Sequence, residues 1–220
     1  MKYQAIIFDL DGTLLDTLQD LADSTNFALE TMGFPKRTIA EIRSFVGNGV
    51  AQLIKKAVPN GTSEDIIQKT LSVFKEHYAV HCEDMTRPYD GIIFLLDMLL
   101  KNGCQIAVVS NKIESAVQQL CEKYFGGRIS VCIGDREGMA RKPAPDSVFS
   151  ALHRLNVQAK DAVYIGDSEV DIQTAKNAEM DMIGVTWGFR DQADLKEQGA
   201  RVFADSAESL AELLLNENFG

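Results

Sequence analysis

Short apolar runs of strand length alternate along the chain with stretches of helical periodicity. Buried strands are predicted at Tyr3–Asp9, Gln105–Ser110, Ile129–Ile133, Ala162–Gly166 and Met182–Val185, with a weaker candidate at Arg201–Phe203. Because these runs are almost continuously apolar and helices separate them, the pattern predicts a parallel sheet covered on both sides. Apolar stripes predict helices at Ile92–Lys101 and Asp146–Leu155. The expected fold class is α/β, a Rossmann-like parallel sheet with helices on both faces.

The pattern changes after the first strand, where apolar residues recur at helical spacing and no convincing strand appears. Turn-forming residues break this stretch into four helices, at Gly33–Pro35, Gly47–Gly49 and Pro59–Gly61. Thr62 or Ser63 is expected to cap the last of them. We therefore predict a small all-helical domain at 16–87, inserted into a catalytic core formed by 1–15 and 88–220. Two linkers to one insert are typical of a lid that hinges over an active site.

Composition narrows the class of protein. The chain has 220 residues, of which 45% are hydrophobic and 25% charged, and its net charge is −10. Nucleic acids and anionic membranes attract basic proteins, so this balance argues against both as partners. No apolar leader precedes Asp9, no run approaches the roughly 18 residues that cross a bilayer, and the four cysteines lack metal-binding spacing. We expect a cytoplasmic protein that acts on a small molecule; the oligomeric state stays open.

Polar residues follow four of the predicted strands, at the edge where ligands bind in an open α/β sheet. They lie at Asp9–Thr13, Ser110–Lys112, Arg141–Pro145 and Gly166–Asp171. Asp9 and Asp11 are two residues apart, so in an extended strand their side chains point the same way. Two carboxylates at such a short distance repel each other. A cation, or the protonation of one of them, relieves the repulsion. This arrangement suits phosphoryl transfer through an aspartyl phosphate.

In this order the four segments resemble the four motifs of the haloacid dehalogenase superfamily, and the helical insert is similar to the type 1 cap of that family. The resemblance covers nearly the whole chain. It implies a phosphatase with an HAD-like core in which Asp9 is the nucleophile. Asp11 would protonate the leaving oxygen and then deprotonate the water that hydrolyses the aspartyl phosphate.

The resemblance also implies ligands for the phosphate and for a metal ion. The phosphoryl oxygens would be bound by Gly12, Ser110, Asn111 and Lys142. Mg²⁺ prefers oxygen ligands, and its ligands would be the side chains of Asp9 and Asp167 and the main-chain carbonyl of Asp11. Asp171 would orient water bound to the metal without touching the ion.

The choice among related enzymes depends on fewer residues. Asp11 separates the chain from dehalogenases and phosphonate-cleaving relatives, which lack an acid at that position. Three segments most resemble phosphoglycolate phosphatases, namely Phe45–Gly49, Arg87–Tyr89 and Gly166–Ser168 with Asp171. This resemblance favours 2-phosphoglycolate as substrate. Pyrophosphate, nucleotides and sugar phosphates stay open because the motifs describe only the phosphate. β-Phosphoglucomutases typically have a histidine in the first cap helix, and here no histidine precedes His77, so that activity is less favoured. A receiver-type phospho-acceptor domain is disfavoured because domains of that type have no helical insert.

Overall fold

The computed structural model describes residues 2–215. Within this range the strands are β1 (Ala5–Phe8), β2 (Leu15–Asp16), β3 (Arg87–Pro88), β4 (Gln105–Ile113), β5 (Val131–Asp135), β6 (Ala162–Gly166), β7 (Asp181–Val185) and β8 (Phe203–Ala204). The α-helices of the same range are α1 (Leu18–Thr31), α2 (Ile39–Phe45), α3 (Val50–Ala57), α4 (Glu64–His81), α5 (Ile92–Lys101), α6 (Glu114–Phe125), α7 (Asp146–Leu155), α8 (Glu169–Asn177), α9 (Gln192–Glu197) and α10 (Ala207–Leu215).

Six strands form one parallel sheet in the order β5-β4-β1-β6-β7-β8. The first strand lies in the middle, where Phe8 is paired with Val108 on one side and with Ile165 on the other. After β1 the chain forms β4 and then β5 on one side of it, and afterwards β6, β7 and β8 on the other side. The direction in which strands are added therefore reverses beside β1. Ligands bind outside the carboxyl ends of the strands at such a reversal, and the residue that follows Phe8 is Asp9.

Helices cover both faces of this sheet. Alternate residues of β1 point to opposite faces: Ile6 and Phe8 pack in a core with α5, α6 and α10, whereas Ala5 and Ile7 pack in a core with α7 and α8. All four β1 residues are fully buried, which explains why the strand reads as an uninterrupted apolar run. The predicted α/β fold is confirmed.

The described chain divides into two compact units, one formed by residues up to Leu15 together with those from Pro88 onwards, the other by Asp16–Arg87. The chain passes between them at β2 and β3, and these two-residue strands pair with each other. The second unit contains α1 to α4, packed around buried side chains such as Leu29, Ile54 and Phe74.

Most predicted elements are confirmed, with small differences at their ends. Helices α5 and α7 have the predicted bounds, while β4 continues three residues past Ser110 to Ile113. Ser63 is the N-terminal flanking residue of α4, but its side chain makes no capping hydrogen bond. Among residues 2–215, no helix combines the length and the apolar character that a membrane crossing requires.

Candidate active site

Side chains from four chain segments meet beyond the carboxyl ends of β1, β4 and β6. The main-chain N–H of Asp9 donates to the carbonyl of Ile165 at 2.9 Å, which continues the pairing of β1 with β6 by one residue. One oxygen from each of the Asp9, Asp167 and Asp171 carboxylates lies within 4.8 Å of the others. The Lys142 ammonium lies among them, 2.9 Å from Asp9 Oδ1 and 2.8 Å from Asp171 Oδ1.

Lys142 is a buried cation, although a lysine before a proline at a helix start is usually solvated. Its Nζ donates to the hydroxyl of Tyr164 at 3.0 Å as well as to Asp171. Burial by itself lowers the pKa of Lys142, but the charges of Asp171 and Asp9 outweigh burial and hold that pKa well above its ordinary value. The lysine therefore carries a fixed positive charge beside Asp9.

Asp9 is a buried carboxylate whose negative charge Lys142 balances only in part. Burial raises the pKa of Asp9 to about 7, an effect that the Lys142 charge opposes and that Asp171 and Asp11 reinforce. Lys142 Nζ forms an ion pair with Asp9 Oδ1 at 2.9 Å. Apart from this ammonium, no hydroxyl or amide N–H of the described residues donates to the buried Asp9 Oδ1. One ammonium does not balance the three neighbouring carboxylates of Asp9, Asp167 and Asp171, so a further cation at this cluster would reduce their mutual repulsion.

Asp167 is held through both carboxylate oxygens. The Thr13 hydroxyl donates to Oδ1 at 3.0 Å, and the main-chain N–H of Phe189 donates to Oδ2 at 2.7 Å. Burial, together with the charges of Asp171 and Asp9, raises the pKa of Asp167 well above its ordinary value. A positive charge at this cluster would therefore stabilise the ionised form of Asp167.

Asp171 has both oxygens occupied. Oδ1 accepts hydrogen bonds from Lys142 and from the Tyr164 hydroxyl, the latter at 3.2 Å, and Oδ2 accepts from the Ser168 N–H at 3.1 Å and its hydroxyl at 2.6 Å. Ser168 precedes α8, so this contact also caps the helix. Asp171 therefore positions Lys142 instead of offering an unused oxygen.

The acidic cluster fits a hard divalent cation. Every ligand atom is oxygen, which is the type that Mg²⁺ takes, and Asp9 Oδ1 is a buried oxygen whose only described partner is the Lys142 ammonium. Asp9 and Asp167 would hold the ion. Asp171 would contact the ion only by giving up existing hydrogen bonds. This fits a residue that orients the ligands of the metal without binding the metal itself.

Two glycines bring main chain against Asp167. Gly12 has a φ of +89°, and a Cβ atom there would lie 2.4 Å from Asp167 Oδ2; a Cβ at Gly188 would lie 2.3 Å from the Gly12 carbonyl oxygen. Any larger residue would collide with the site. The Gly12 N–H donates to the Leu15 carbonyl at 2.8 Å, so this amide closes the turn in the structure.

The remaining predicted phosphate ligands lie on β4. The Ser110 hydroxyl accepts from the Lys112 N–H at 3.2 Å, and the Asn111 side chain donates to the Lys142 carbonyl at 3.1 Å. Both residues are thereby fixed next to the segment that carries Lys142. Their role as phosphate ligands stays a prediction.

Sequence reasoning gave no role to two parts of this site. Lys112 is buried and forms an ion pair with Asp11, with Nζ 3.0 Å from Oδ1 and 3.3 Å from Oδ2. The loop after β7 supplies the Phe189 N–H to Asp167, and the Trp187 indole N–H donates to the Thr13 carbonyl at 3.0 Å. Spacing along the chain gave no signal for the first, because the pairing of β4 with β5 is irregular between Val109 and Ile113 and strict alternation does not hold there. The loop had only the composition of a turn.

Comparison with known proteins places this geometry in a family. The sequence matches the haloacid dehalogenase-like hydrolases over residues 6–185. It is 30% identical over 216 residues to a phosphoglycolate phosphatase of Vibrio parahaemolyticus, and the alignment covers 95% of each chain. It is 31% identical over 211 residues to a phosphoglycolate phosphatase of Pseudomonas syringae pv. tomato, covering 93% of this chain and 77% of that protein.

Solved structures agree. A crystal structure from Lactobacillus delbrueckii subsp. bulgaricus, provisionally assigned as a phosphoglycolate phosphatase, has a TM-score of 0.94 and 41% identity; the match covers 99% of this chain and 100% of that one. The match to the family extends over most of the chain, and the relatives align along nearly all of it. The chain therefore belongs to the haloacid dehalogenase-like hydrolases and is a phosphatase of the phosphoglycolate phosphatase type.

Proposed function

We propose that this phosphatase hydrolyses 2-phosphoglycolate, with Mg²⁺, through a phosphoryl group carried transiently on Asp9. The observation that carries the proposal is Asp9 itself. Its carboxylate lies at the carboxyl end of the central strand, and its buried Oδ1 is 2.9 Å from the fixed charge of Lys142 and accepts from no other donor among the described residues. An ionised carboxylate needs no base to act as a nucleophile, so what the site must supply is charge balance.

In the first step Asp9 attacks phosphorus and the ester bond to the leaving oxygen breaks. Phosphate-monoester hydrolysis is among the slowest uncatalysed reactions known, and most of the acceleration comes from positioning and from stabilising charge on the phosphoryl oxygens. Lys142 lies 2.9 Å from Asp9 and would contact those oxygens. Ser110 and the Asn111 amide would bind them from β4.

Bound Mg²⁺ would supply the positive charge that lets an anionic nucleophile approach an anionic substrate. Asp9 and Asp167 would hold it with the Asp11 carbonyl. Thr13 and the Phe189 N–H fix the orientation of Asp167 through both carboxylate oxygens. The Asp167 carboxylate would therefore already be oriented before the metal binds.

Asp11 is proposed as the acid that protonates the leaving oxygen and as the base that removes a proton from water in the second step. In the structure both Asp11 oxygens contact the Lys112 ammonium. An ion pair of this kind holds the carboxylate in one orientation.

The helical unit Asp16–Arg87 is proposed as the cap. Substrate identity rests on the phosphoglycolate phosphatases of Vibrio parahaemolyticus and Pseudomonas syringae pv. tomato, to which the chain is 30% and 31% identical. The motif residues bind only the phosphate, so pyrophosphate, nucleotides and sugar phosphates belong in the same assay as alternatives.

The test is phosphate release from 2-phosphoglycolate with Mg²⁺ and with a chelator. We expect a kcat/KM of about 10⁴ M⁻¹s⁻¹ or more with the metal and a loss of at least about 10³-fold in the chelator. Asp9→Asn should abolish turnover, whereas the same substitution at exposed Asp194 should retain it. Equal release in the chelator, or turnover by Asp9→Asn, would overturn the proposal, and a better rate on another phosphate would replace the substrate.

A further inference from the structure

We propose that Lys112 selects substrates whose leaving group carries a carboxylate. The inference rests on the proposed function, because it assumes that Asp11 delivers its proton to the leaving oxygen. It assigns to Lys112 the recognition of the part of the substrate that is not phosphate.

Lys112 is a second buried cation in the site, distinct in position from Lys142. Its side chain is only 5% exposed, and burying an ammonium is costly without a compensating negative charge. That charge is Asp11, at 3.0 and 3.3 Å. Lys142 contacts Asp9 and Asp171 instead. The two lysines therefore divide the site: one faces the nucleophile and the other faces the acid.

This division has a chemical consequence. The acid must lie within hydrogen-bond reach of the leaving oxygen, so a cation in contact with Asp11 lies beside the leaving group. In 2-phosphoglycolate a single methylene separates the ester oxygen from the carboxylate carbon. A carboxylate so close to Asp11 falls within reach of the Lys112 ammonium, whereas a neutral leaving group offers that ammonium nothing.

The charge of the site points the same way. Asp9, Asp11, Asp167 and Asp171 bring four carboxylates together, and Lys112 and Lys142 bring two ammonium groups. A substrate with a second anionic group would be repelled by these acids unless a cation met that group. Lys112 is the ammonium that lies on the Asp11 side.

The first experiment uses the wild-type enzyme with Mg²⁺ and three phosphates of similar size: 2-phosphoglycolate, ethyl phosphate and O-phosphoethanolamine. Their leaving groups carry a negative charge, no charge and a positive charge. We expect kcat/KM to fall in that order, by about tenfold or more at the first step, as for one charge-assisted contact. Equal values for the first two substrates would overturn the inference, and so would the reverse order.

The second experiment measures the same ratio in Lys112→Met and Lys112→Arg, with Lys160→Met as a matched control at an exposed lysine. Lys112→Met should lower the preference for 2-phosphoglycolate over ethyl phosphate by about tenfold or more, partly through KM, and Lys112→Arg should keep most of it. If Lys112 only holds Asp11 in place, both substrates slow equally and the ratio stays constant, which contradicts the inference.

These outcomes separate the inference from the proposed function. If 2-phosphoglycolate is hydrolysed well but Lys112→Met leaves the ratio unchanged, the function stands and the inference is wrong. If another carboxylate-bearing phosphate is the better substrate and Lys112→Met removes that preference, the inference stands and the substrate assignment changes. Failure of the wild type to hydrolyse any phosphate monoester overturns both.

Discussion

Lys142 is the residue on which the charges of the site converge. Its ammonium contacts Asp9 and Asp171 and donates to the Tyr164 hydroxyl, and its side chain is 2% exposed. A buried charge that loses its partner is strongly destabilising. Each of these carboxylates therefore depends on Lys142 for stability as well as for chemistry.

Lys142→Met should damage both properties. Removing the cation leaves Asp9 and Asp171 buried beside each other, so the free energy of unfolding should fall by about 3–5 kcal/mol. The value of kcat/KM should fall by about 10²–10³-fold, as for loss of one group that stabilises transition-state charge. Urea unfolding and phosphate release measure the two effects. Unchanged stability in Lys142→Met would contradict the charge balance described here, and Lys160→Met serves as the surface control.

The sequence predicted the residue types of this site better than their partners. Asp9, Asp167, Asp171 and Lys142 were predicted from motif order, and the structure brings them together. The pairing of Lys112 with Asp11 was not predicted, because it depends on how far β4 continues and on contacts between residues 101 positions apart. Side-chain partners across a sheet are tertiary facts that spacing along one strand does not contain.

At the scale of elements, helix α8 ends in an unfavourable residue. The N–H groups of Glu179 and Met180 donate to the Lys176 and Ala175 carbonyls at 3.1 and 2.9 Å, which is the hydrogen-bond pattern of a helix end that favours glycine. Glu179 has a φ of +54°, in the left-handed region that costs a residue with a side chain roughly 1–2 kcal/mol.

Glu179→Gly should therefore stabilise the protein by about 1 kcal/mol, after the greater flexibility of glycine in the unfolded chain is set against the relief of strain. The matched control is Glu122→Gly within α6, where the backbone is helical and glycine should destabilise by about 1 kcal/mol. Denaturant unfolding measures both changes. Destabilisation by Glu179→Gly would contradict the strained helix end.

Helices α1 and α4 carry a stack of rings at their interface. His77 lies between the rings of Phe27 and His81, at centroid distances of 4.1 and 4.3 Å, and its Nδ1 is 3.0 Å from the Ser24 hydroxyl oxygen. Burial, and then the charge of His81, lowers the pKa of His77 below its usual 6.5. The folded unit therefore favours the neutral ring.

This lowered pKa gives stability a pH dependence. Below about pH 6.5 the unfolded chain binds a proton at His77 more readily than the folded chain does. The stability is fully present above that pH and is lost as the pH falls through the lowered pKa. Thermal unfolding between pH 7.5 and 5.5 should show a shallower loss in His77→Phe, which keeps the stack but cannot titrate. An identical pH slope in the two proteins would contradict this account.

At the scale of the whole molecule, the acidic cluster lies beyond the carboxyl ends of β1 and β6 in a chain whose net charge is −10. Mutual repulsion among Asp9, Asp167 and Asp171 is a destabilising contribution that a bound cation removes. Binding to the folded state alone also stabilises it by mass action.

Mg²⁺ should therefore raise the unfolding temperature, by the equivalent of about 3 kcal/mol when the metal is at 100 times its Kd. The rise should disappear in Asp167→Asn and remain in Asp194→Asn. Differential scanning fluorimetry, with KCl matched for ionic strength, measures it. An equal rise in Asp167→Asn would show that the metal binds elsewhere.

The sheet itself was the easiest part to predict. Buried strands such as β1 and β6 are apolar on both faces, and the helices between them have clear stripes. The short strands β2 and β3 were not predicted because two residues carry no period. The division of roles between a catalytic core and a cap stays a proposal.

The most direct test of the mechanism is the identity of the phosphorylated residue. The test uses the Asp11→Ala variant with p-nitrophenyl phosphate, whose p-nitrophenolate leaving group needs no acid. The first step should therefore proceed, while loss of the Asp11 base should slow hydrolysis of the phosphorylated enzyme. Rapid acid quench followed by peptide mass analysis should then find one phosphoryl group per chain, on Asp9, with a matching burst of p-nitrophenol. A phosphoryl group on any other residue, or a wild-type rate of hydrolysis in Asp9→Asn, would contradict the account.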